Sequence, residues 1–363
     1  MKRLAYYPAV ATPPFRAEHI GSFLRPPEVL AGRDVDAHIV RLVRWQEALG
    51  LEVVTDGEFR RESWRLGFVS KVAGFAQAEA FGNVDLQQDE AGNVMQIGSA
   101  PVAVTRIRRV RPIVADEAAF TLQQTKRTVK ATLPAPSYLH YPRGRRCVDP
   151  DVYPDLDAFF ADVVDIYVQE MKALHAAGGR YLQIDEVAQT LLCDQRLRDA
   201  VKARGDDPER LVDLYIDLIN RIVRQRPPGM TIGVHMCRGN AHGKWIAAGG
   251  YERIAEKSFG SMNVDAFFLE FDSERAGGFE PLRFIPRGKK VVIGAVSTKL
   301  PALESKDELK RKIDAASRYV PAENLSLSPQ CGFSSHRSGS GLTFEQQEAK
   351  MRLVIETARE IWR

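Results

Sequence analysis

Thr231-Ile-Gly-Val-His-Met-Cys-Arg-Gly-Asn240 reads as a β-strand that ends in two metal-binding side chains. The residues from Thr231 to Val234 favour a strand, and Gly239-Asn240 ends it. His235 and Cys237 are two residues apart, so on a strand their side chains leave on the same face. Zinc prefers an imidazole and a thiolate as ligands. The stretch therefore predicts half of a zinc site, although such a pair is more often a packed His beside a buried thiol.

Two further stretches share this design. Ala266-Phe-Phe-Leu-Glu270 is an apolar strand that ends in a carboxylate, and Leu325-Ser-Leu-Ser-Pro-Gln-Cys-Gly332 is a strand that ends in a thiol. One imidazole, one carboxylate and two thiolates make a tetrahedral zinc set. The zinc ligands predicted from these three strand ends are His235, Cys237, Glu270 and Cys331.

Strands and helices alternate along most of the chain. Strand patterns centre near residues 19, 52, 131, 182, 232, 267, 291 and 326. Helical spacing of apolar residues covers 34–50, 155–177, 208–225, 251–257, 306–319 and 344–362. Near-continuous apolar strands between amphipathic helices are typical of a covered parallel sheet. Eight such units predict an α/β fold of the (β/α)8 TIM-barrel type. A doubly wound open sheet is the competing topology, but no glycine-rich phosphate-binding fingerprint follows an early strand.

One region interrupts the alternation. Phe81-Gly-Asn-Val-Asp and Glu90-Ala-Gly-Asn-Val-Met-Gln-Ile predict hairpin turns between short strands. We therefore expect a single catalytic barrel over residues 1–363, with a β-rich hairpin insertion at 68–126 after the second strand.

Composition excludes several classes of protein. The 363 residues are 44% hydrophobic and 27% charged, with a net charge of +4, which is typical of a globular protein. Basic residues are scattered and lack interleaved aromatic residues, so nucleic-acid binding is not supported. Four widely spaced cysteines argue against a disulfide framework, and no apolar run has the length of a signal peptide or membrane span. We expect a cytoplasmic protein without membrane contact, and a homo-oligomer stays open.

Polar residues collect at or just beyond the C-terminal ends of the predicted strands. In a barrel these ends meet at one mouth, where such enzymes carry their chemistry. Zinc with thiolate ligands can hold an incoming thiol as a nucleophilic thiolate, whereas activation of water for hydrolysis is the other use of the ion. Glu58 and Asp185 could receive an ammonium group, or they could cap strands or pair with Arg60 or Arg61. The full set is Ser22, Glu58, Asp185, His235, Cys237, Glu270, Ser297 and Cys331.

These motifs resemble a known family. The chain is similar, from His19-Ile-Gly-Ser22 to its end, to the catalytic C-terminal barrel of cobalamin-independent methionine synthase and to related single-barrel proteins. The resemblance rests on Ile20-Gly-Ser22, Asp56-Gly-Glu58, Ile184-Asp-Glu186, His235-Met-Cys237, Leu269-Glu270 and Ser328-Pro-Gln-Cys-Gly332. It implies zinc at His235, Cys237, Glu270 and Cys331, and homocysteine held by Ile20, Ser22, Glu58 and Asp185. The implied reaction is methyl transfer from a methylated folate to the homocysteine sulfur, without cobalamin.

The chain departs from the family pattern in three ways. The long enzymes have an N-terminal barrel that helps to bind the folate, and that barrel is not part of this sequence. They also have a histidine, proposed as the proton donor, in an Asp-x-His-Ser-Pro motif. Here the segment reads Ser297-Thr-Lys-Leu-Pro301, so Lys299 becomes the candidate proton donor, provided that burial lowers its pKa. Ser297 is a candidate for substrate contact, and Gln330 stands where the long enzymes have an acid.

Two other functions remain open from the sequence. A zinc-dependent alkyltransferase could use a different thiol or electrophile, as epoxide:thiol transferases of similar design do. An acidic surround of the metal favours an amino-acid thiol, whereas a basic surround favours an anionic thiol such as a sulfonate. A metal-stabilised barrel that only binds a ligand or partner is the third hypothesis.

Overall fold

The computed structural model describes residues 12–79, 86–88, 94–96, 99–240, 242–337 and 339–362. The strands are β1 Val53–Val54, β2 Val72–Glu79, β3 Leu86–Gln88, β4 Val94–Gln96, β5 Ser99–Arg109, β6 Thr128–Pro134, β7 Tyr181–Glu186, β8 Thr231–Met236, β9 Ala266–Glu270, β10 Lys290–Val296 and β11 Leu325–Pro329. The α-helices are α1 Pro27–Leu30, α2 Val35–Leu49, α3 Leu66–Val69, α4 Ala115–Gln124, α5 Leu156–Ala176, α6 Ala188–Leu191, α7 Gln195–Ala203, α8 Pro208–Val223, α9 Glu252–Ser261, α10 Lys306–Ala316 and α11 Phe344–Ile361. Short 3-10 helices lie at Pro136–Leu139, Gly144–Cys147, Glu274–Ala276, Glu280–Phe284 and Ala322–Asn324.

A curled sheet of seven parallel strands forms the centre of this α/β fold. Its strands follow the order β1-β6-β7-β8-β9-β10-β11, so each strand after β1 lies beside the next one in the chain. Residues of β9 and β11 are buried along the whole strand. Such continuous burial is expected for parallel strands that are covered on both faces. The sheet confirms the predicted α/β class and is consistent with a TIM-like barrel.

The first predicted strand, near residue 19, is replaced by a single bridge. Ala17 pairs in parallel with Leu327 of β11, and the backbone N–H of Glu18 donates to the Leu327 carbonyl at 2.9 Å. The chain then leaves this direction at Gly21, whose φ of +141° strongly favours glycine. The sheet therefore has seven strands rather than the predicted eight, and one bridged segment adjoins its last strand.

The long helices confirm the predicted helical segments to within a few residues. Helix α5 begins after Asp155, whose side chain accepts from the backbone N–H of Ala158, and α8 begins at Pro208 after a similar Asp207 cap. Helix α11 begins with a capping box between Thr343 and Gln346. No helix in the described ranges is long and apolar enough to cross a membrane.

Antiparallel pairs lie between β1 and β6. Strand β2 pairs with β5, and β3 pairs with β4. The two predicted hairpin turns fall largely outside the described residues. The proposed limits of the insertion, 68–126, also enclose helix α4, which contacts α5 and β6 of the main fold. The insertion therefore stays a prediction.

A buried ion pair joins the N-terminal segment to the sheet. Lys130 Nζ lies 3.1 Å from Glu18 Oε2, and the Tyr181 hydroxyl donates to Glu18 Oε1 at 3.1 Å. Lys130 also lies over the ring of Phe268. Because both charged side chains are fully buried, loss of one partner would leave the other uncompensated. This pair fixes the segment that leads to Ile20 and Ser22.

Candidate metal and substrate site

Three of the four predicted metal ligands form a compact cluster. The candidate ligand atoms of His235, Cys237 and Cys331 all lie within 4.8 Å of one another, and all three residues are buried. The two Sγ atoms are 3.4 Å apart. Neither ring nitrogen of His235 has a hydrogen-bond partner in the described part of the chain. Buried imidazole nitrogens normally have a partner, so the unpaired ring and the soft donor set fit a zinc ion.

Glu270, the fourth predicted ligand, contacts one member of this cluster. Its Oε1 lies 3.8 Å from Cys237 Sγ. Its Oε2 accepts from the backbone N–H of Arg238 at 2.9 Å, with the Arg238 guanidinium at 3.5 Å. The Tyr251 hydroxyl accepts from the backbone N–H of Glu270 and donates to the Met236 carbonyl, so it ties β8 to β9. These contacts fix Oε2 on the protein and leave Oε1 toward the thiols.

The two thiols share one hydrogen bond. That hydrogen bond lowers the pKa of Cys331 well below the usual thiol value and raises the pKa of Cys237. Burial alone would lower the pKa of His235, but the neighbouring Cys331, Asp185 and Glu270 outweigh it and raise the pKa. Burial also raises the pKa of Glu270. A cation at this point would favour the deprotonated forms of all four groups.

An open pocket of about 820 Å³ leads to the cluster. Its wall contains predicted site residues from the ends of β1, β7, β8 and β11, or from the loops after them, and from the bridged segment near residue 20. Apolar and aromatic side chains form much of the rest of the wall. Predicted site residues in the wall are Ile20, Ser22, Glu58, Asp185, His235, Cys237 and Cys331, and the other wall residues include Trp64, Arg65, Tyr138, Tyr141, Pro142, Val187, Leu191, Ile246 and His336.

Glu58 and Asp185 place two carboxyl groups on the pocket wall. Glu58 Oε1 accepts from the Thr132 hydroxyl at 2.8 Å, whereas Glu58 Oε2 has no hydrogen-bond partner among the described residues. Asp185 Oδ1 accepts from Gln183 Nε2 at 2.8 Å. Burial raises the pKa of Glu58, and burial together with the Glu58 charge raises the pKa of Asp185 to about 7. Arg61 Nη1 lies 3.6 Å from Glu58 Oε1, so Glu58 already has one cationic partner, and an ammonium group could add a second at its open Oε2 and beside Asp185.

Ser22 lies directly against the loop that carries Cys331. Its carbonyl accepts from the backbone N–H of Phe333 at 2.9 Å, and its hydroxyl accepts from the backbone N–H of Ser334 at 3.3 Å. A Cβ atom added to Gly332 would lie 2.0 Å from Ser22 Oγ. Glycine is therefore required where the two loops meet. This close approach fixes Cys331 relative to Ile20 and Ser22.

Lys299 and Ser297 are not in the pocket wall. Lys299 is buried, with Nζ 3.8 Å from Glu270 Oε1. Ser297 accepts from the backbone N–H of Lys299 at 3.2 Å and lines a separate surface depression beside Glu304. Their predicted roles in proton donation and substrate contact stay predictions.

Several residues of the site were not predicted from the sequence. Arg238 is fully buried and binds the carbonyls of Gly249 and Ala276 as well as Glu270. Trp64 and Tyr138 have ring centroids 5.4 Å apart on the pocket wall. The sequence did contain a signal for Trp64 and Tyr138, because each of them lies in a segment that follows a strand of the parallel sheet.

The chain is similar in sequence and in structure to several known proteins. Residues 28–352 match the family described as "Cobalamin-independent synthase, Catalytic domain". The chain is 37% identical to Uncharacterized protein YxjH of Bacillus subtilis over 96% of this chain and 95% of that protein. It is 27% identical to methionine synthase of Pyrococcus abyssi over 81% of this chain and 74% of that protein. A solved structure of a Listeria monocytogenes protein, assigned as a vitamin-B12 independent methionine synthase, matches with a TM-score of 0.73 and 28% identity over 96% of this chain and 98% of that one.

Proposed function

The chain belongs to the cobalamin-independent synthase family through that family's catalytic domain, and on this premise we propose that it transfers a methyl group to the sulfur of homocysteine, giving methionine. The proposed donor is a methyltetrahydrofolate-type compound. The proposed cofactor is zinc, with His235, Cys237, Glu270 and Cys331 as its ligands. Support comes from the relatives named methionine synthase and from the cluster of soft ligands.

One observation supports an amino-acid thiol as substrate. Glu58 and Asp185 line the same pocket as the three clustered ligands. Glu58 Oε2 is buried and unpaired among the described residues, and the pKa of both carboxyl groups is raised mainly by burial. An ammonium group bound between them would favour the ionised form of both carboxyl groups. The substrate is therefore an amino acid whose thiol points toward the metal ligands.

Each group of residues around the pocket has its own role in the proposed reaction. Glu58 and Asp185 bind the ammonium group, and Ile20 and Ser22 border the amino-acid end of the substrate. A bound zinc would hold the substrate sulfur as a thiolate at neutral pH. The apolar outer pocket limits access of water and leaves space for the donor. Lys299 remains the proposed proton donor to the demethylated product.

A second candidate rests on the outer pocket. Arg65 lines the same wall, where it lies over the ring of Tyr138. A basic group there would suit an anionic thiol as the nucleophile. An alkyltransferase of the epoxide:thiol type would join such a thiol to a different electrophile. The two candidates differ in whether the thiol must carry an ammonium group.

The first experiment is elemental analysis of zinc, wild type beside Cys237→Ser, each with and without homocysteine. We expect one zinc per chain in wild type, loss of zinc in the variant, and one added sulfur neighbour of zinc in X-ray absorption spectra when homocysteine is present. Absence of zinc from a metal-replete wild-type preparation would refute the proposal. A zinc site that gains sulfur from a sulfonate thiol but not from homocysteine would favour the second candidate.

The proposal also covers the barrel, its insertion, the cellular location and the partners of the protein. We propose that the segment around Ala17 completes a single (β/α)8 catalytic barrel, and that residues 68–126 are an insertion within it. A cytoplasmic location and a possible homo-oligomer belong to the same proposal. Its small-molecule partners are homocysteine and the methyl donor, without nucleic acid or membrane contact.

A further inference from the structure

The ammonium group of Lys299 lies near Glu270, a predicted metal ligand. Lys299 follows β10, and its side chain is 2% exposed. Its Nζ lies 3.8 Å from Glu270 Oε1 and has no hydrogen-bond partner within the described ranges. A buried ammonium group without hydrogen bonds is costly, so a specific attraction must keep it there. Glu270 supplies part of this attraction through its Oε1, and the Cys331 thiol, whose pKa the Lys299 charge helps to lower, supplies another part.

The two oxygens of Glu270 have different partners. Oε2 is fixed by the backbone N–H and guanidinium of Arg238, which is itself held by Gly249, Tyr251 and Ala276. Oε1 lies 3.8 Å from Cys237 Sγ and equally 3.8 Å from Lys299 Nζ. Oε1 is therefore the oxygen that a metal at the thiols would attract. It is also the oxygen that Lys299 attracts.

The number of predicted ligands gives the competition between Lys299 and the metal a role in substrate binding. His235, Cys237, Cys331 and Glu270 would supply four ligands to a zinc ion, and a catalytic zinc also needs a position for its substrate. A hard carboxylate is the ligand that a soft thiolate replaces most readily. The carboxylate of Glu270 would keep Arg238 beside Oε2 on release, and a second cation beside Oε1 would stabilise the buried charge further. Lys299 already lies within reach of the oxygen that would be released.

We propose that Lys299 is a positioning residue that competes with the metal for Glu270 Oε1 and holds this oxygen when the substrate thiol takes its place. The inference rests on the proposed function, because it requires zinc and a thiol substrate at this site. It assigns to Lys299 a role that does not require contact with the methyl donor. Glu270 Oε1 would then contact the metal before the substrate thiol binds, and Lys299 after it binds.

The test compares two affinities in Lys299→Met. Zinc affinity is measured by competition with a chromophoric chelator, and homocysteine affinity is measured on the zinc-loaded protein by calorimetry. Removal of the competing cation should tighten zinc binding about tenfold, whereas the loss of a partner for the released carboxylate should weaken homocysteine binding about tenfold. Lys289→Met is the matched control, because Lys289 donates to the carbonyls of Met262 and Val264 and contacts no predicted ligand. It should change neither affinity.

Two further measurements test the inference: X-ray absorption spectra of zinc, and the Lys299→Met substitution in a Glu270→Gln variant. In wild type, homocysteine should add one sulfur neighbour of zinc and remove one oxygen neighbour. In a Glu270→Gln background, Lys299→Met should no longer shift the two affinities in opposite directions. Equal losses of both affinities, or no change in either, would overturn the inference and leave the proposed function intact. A wild type that binds neither zinc nor homocysteine would instead refute the proposed function itself.

Discussion

The Sγ atoms of Cys237 and Cys331 lie 3.4 Å apart, although 94 residues separate them in the chain. The end of β8 places one thiol and the loop after β11 places the other, on strands that are not neighbours in the sheet. Two buried thiols at this distance, beside an unpaired imidazole, form a group that could hold a shared metal ion.

Loss of one thiol should reduce metal affinity without unfolding the protein. We expect Cys331→Ser to weaken zinc binding roughly a hundredfold, because one of four ligands contributes about a quarter of a binding free energy on the order of 10 kcal/mol. Chelator competition measures the affinity, and circular dichroism checks the fold. Cys147→Ser is the control, since Cys147 is buried outside the pocket wall. Collapse of the fold in Cys331→Ser would indicate a structural metal instead.

The carboxyl group of Glu58 should select thiols that carry an ammonium group. We expect Glu58→Gln to weaken homocysteine binding at least about tenfold, because a hydrogen bond to a charged group is worth roughly 1.5–3 kcal/mol. Binding of 4-mercaptobutyrate, which lacks the amino group, should change little. Calorimetry on the zinc-loaded protein gives both affinities. An equal loss for the two thiols would contradict this role of Glu58.

Arg238 should matter for stability as much as for the site. It is fully buried, and removal of its guanidinium takes away the cation that lies 3.5 Å from Glu270 Oε2 and leaves the backbone N–H at that position as the remaining partner of this oxygen. We expect Arg238→Met to lower the free energy of unfolding by about 3–5 kcal/mol. The exposed pair of Arg226 and Asp265 provides the control, where Arg226→Met should cost less than about 1 kcal/mol. Urea denaturation of the metal-free proteins measures both, and similar costs would show that burial of Arg238 contributes nothing.

His140 should make the fold sensitive to mild acid. Burial lowers the pKa of His140 to about 4, against about 6.5 in the unfolded chain. The unfolded state therefore binds the proton first, so His140 contributes stability above pH 6.5 that is lost as the pH falls toward 4. We expect His140→Gln to be less stable than wild type at pH 7 but to lose up to about 3 kcal/mol less between pH 7 and pH 4.

The measurement is urea denaturation at several pH values. Glutamine can keep a hydrogen bond to the Tyr215 hydroxyl, which His140 Nδ1 meets at 2.9 Å. Parallel stability curves for the two proteins across this pH range would disprove the contribution of His140.

The contact between Gly332 and Ser22 predicts a coupled pair of substitutions. We expect Gly332→Ala to destabilise the protein by about 1–3 kcal/mol, because its Cβ would overlap Ser22 Oγ. Ser22→Ala removes that oxygen and should recover about 1 kcal/mol of the loss in the double variant. Strict additivity in thermal or urea denaturation would show that the overlap is relieved elsewhere.

The sequence predicted the strands from β6 to β11 better than the beginning of the fold. His235 and Cys237 could be assigned to one face because a strand repeats every two residues, and most of the other predicted site residues lie at or just after the end of an apolar strand. The segment near residue 19 resembled a strand, but Gly21 turns the chain after one bridge to Leu327. Local propensity does not contain that long-range contact.

The sequence did not predict the residues that support the site, because their contacts are also long-range. Arg238 looks like an ordinary loop residue in the sequence, yet it is fully buried because Gly249, Tyr251 and Ala276 come from distant segments to bind it. Likewise, the position of Lys299 suggested proton donation, whereas its neighbour Glu270 could be identified only from the packed fold. Spacing along a strand predicts ligands, but not the partners of those ligands.

The bridge between Ala17 and Leu327 has a consequence for synthesis on the ribosome. The segment that carries Ile20 and Ser22 emerges first, yet its partner on β11 emerges more than three hundred residues later. At about 5–20 residues per second, the early segment waits on the order of tens of seconds without this partner. His235 and Cys237 are likewise translated well before Cys331. A nascent chain can therefore present only part of the proposed ligand set, and a metal held by all four proposed ligands could be captured only after β11 and Cys331 have emerged.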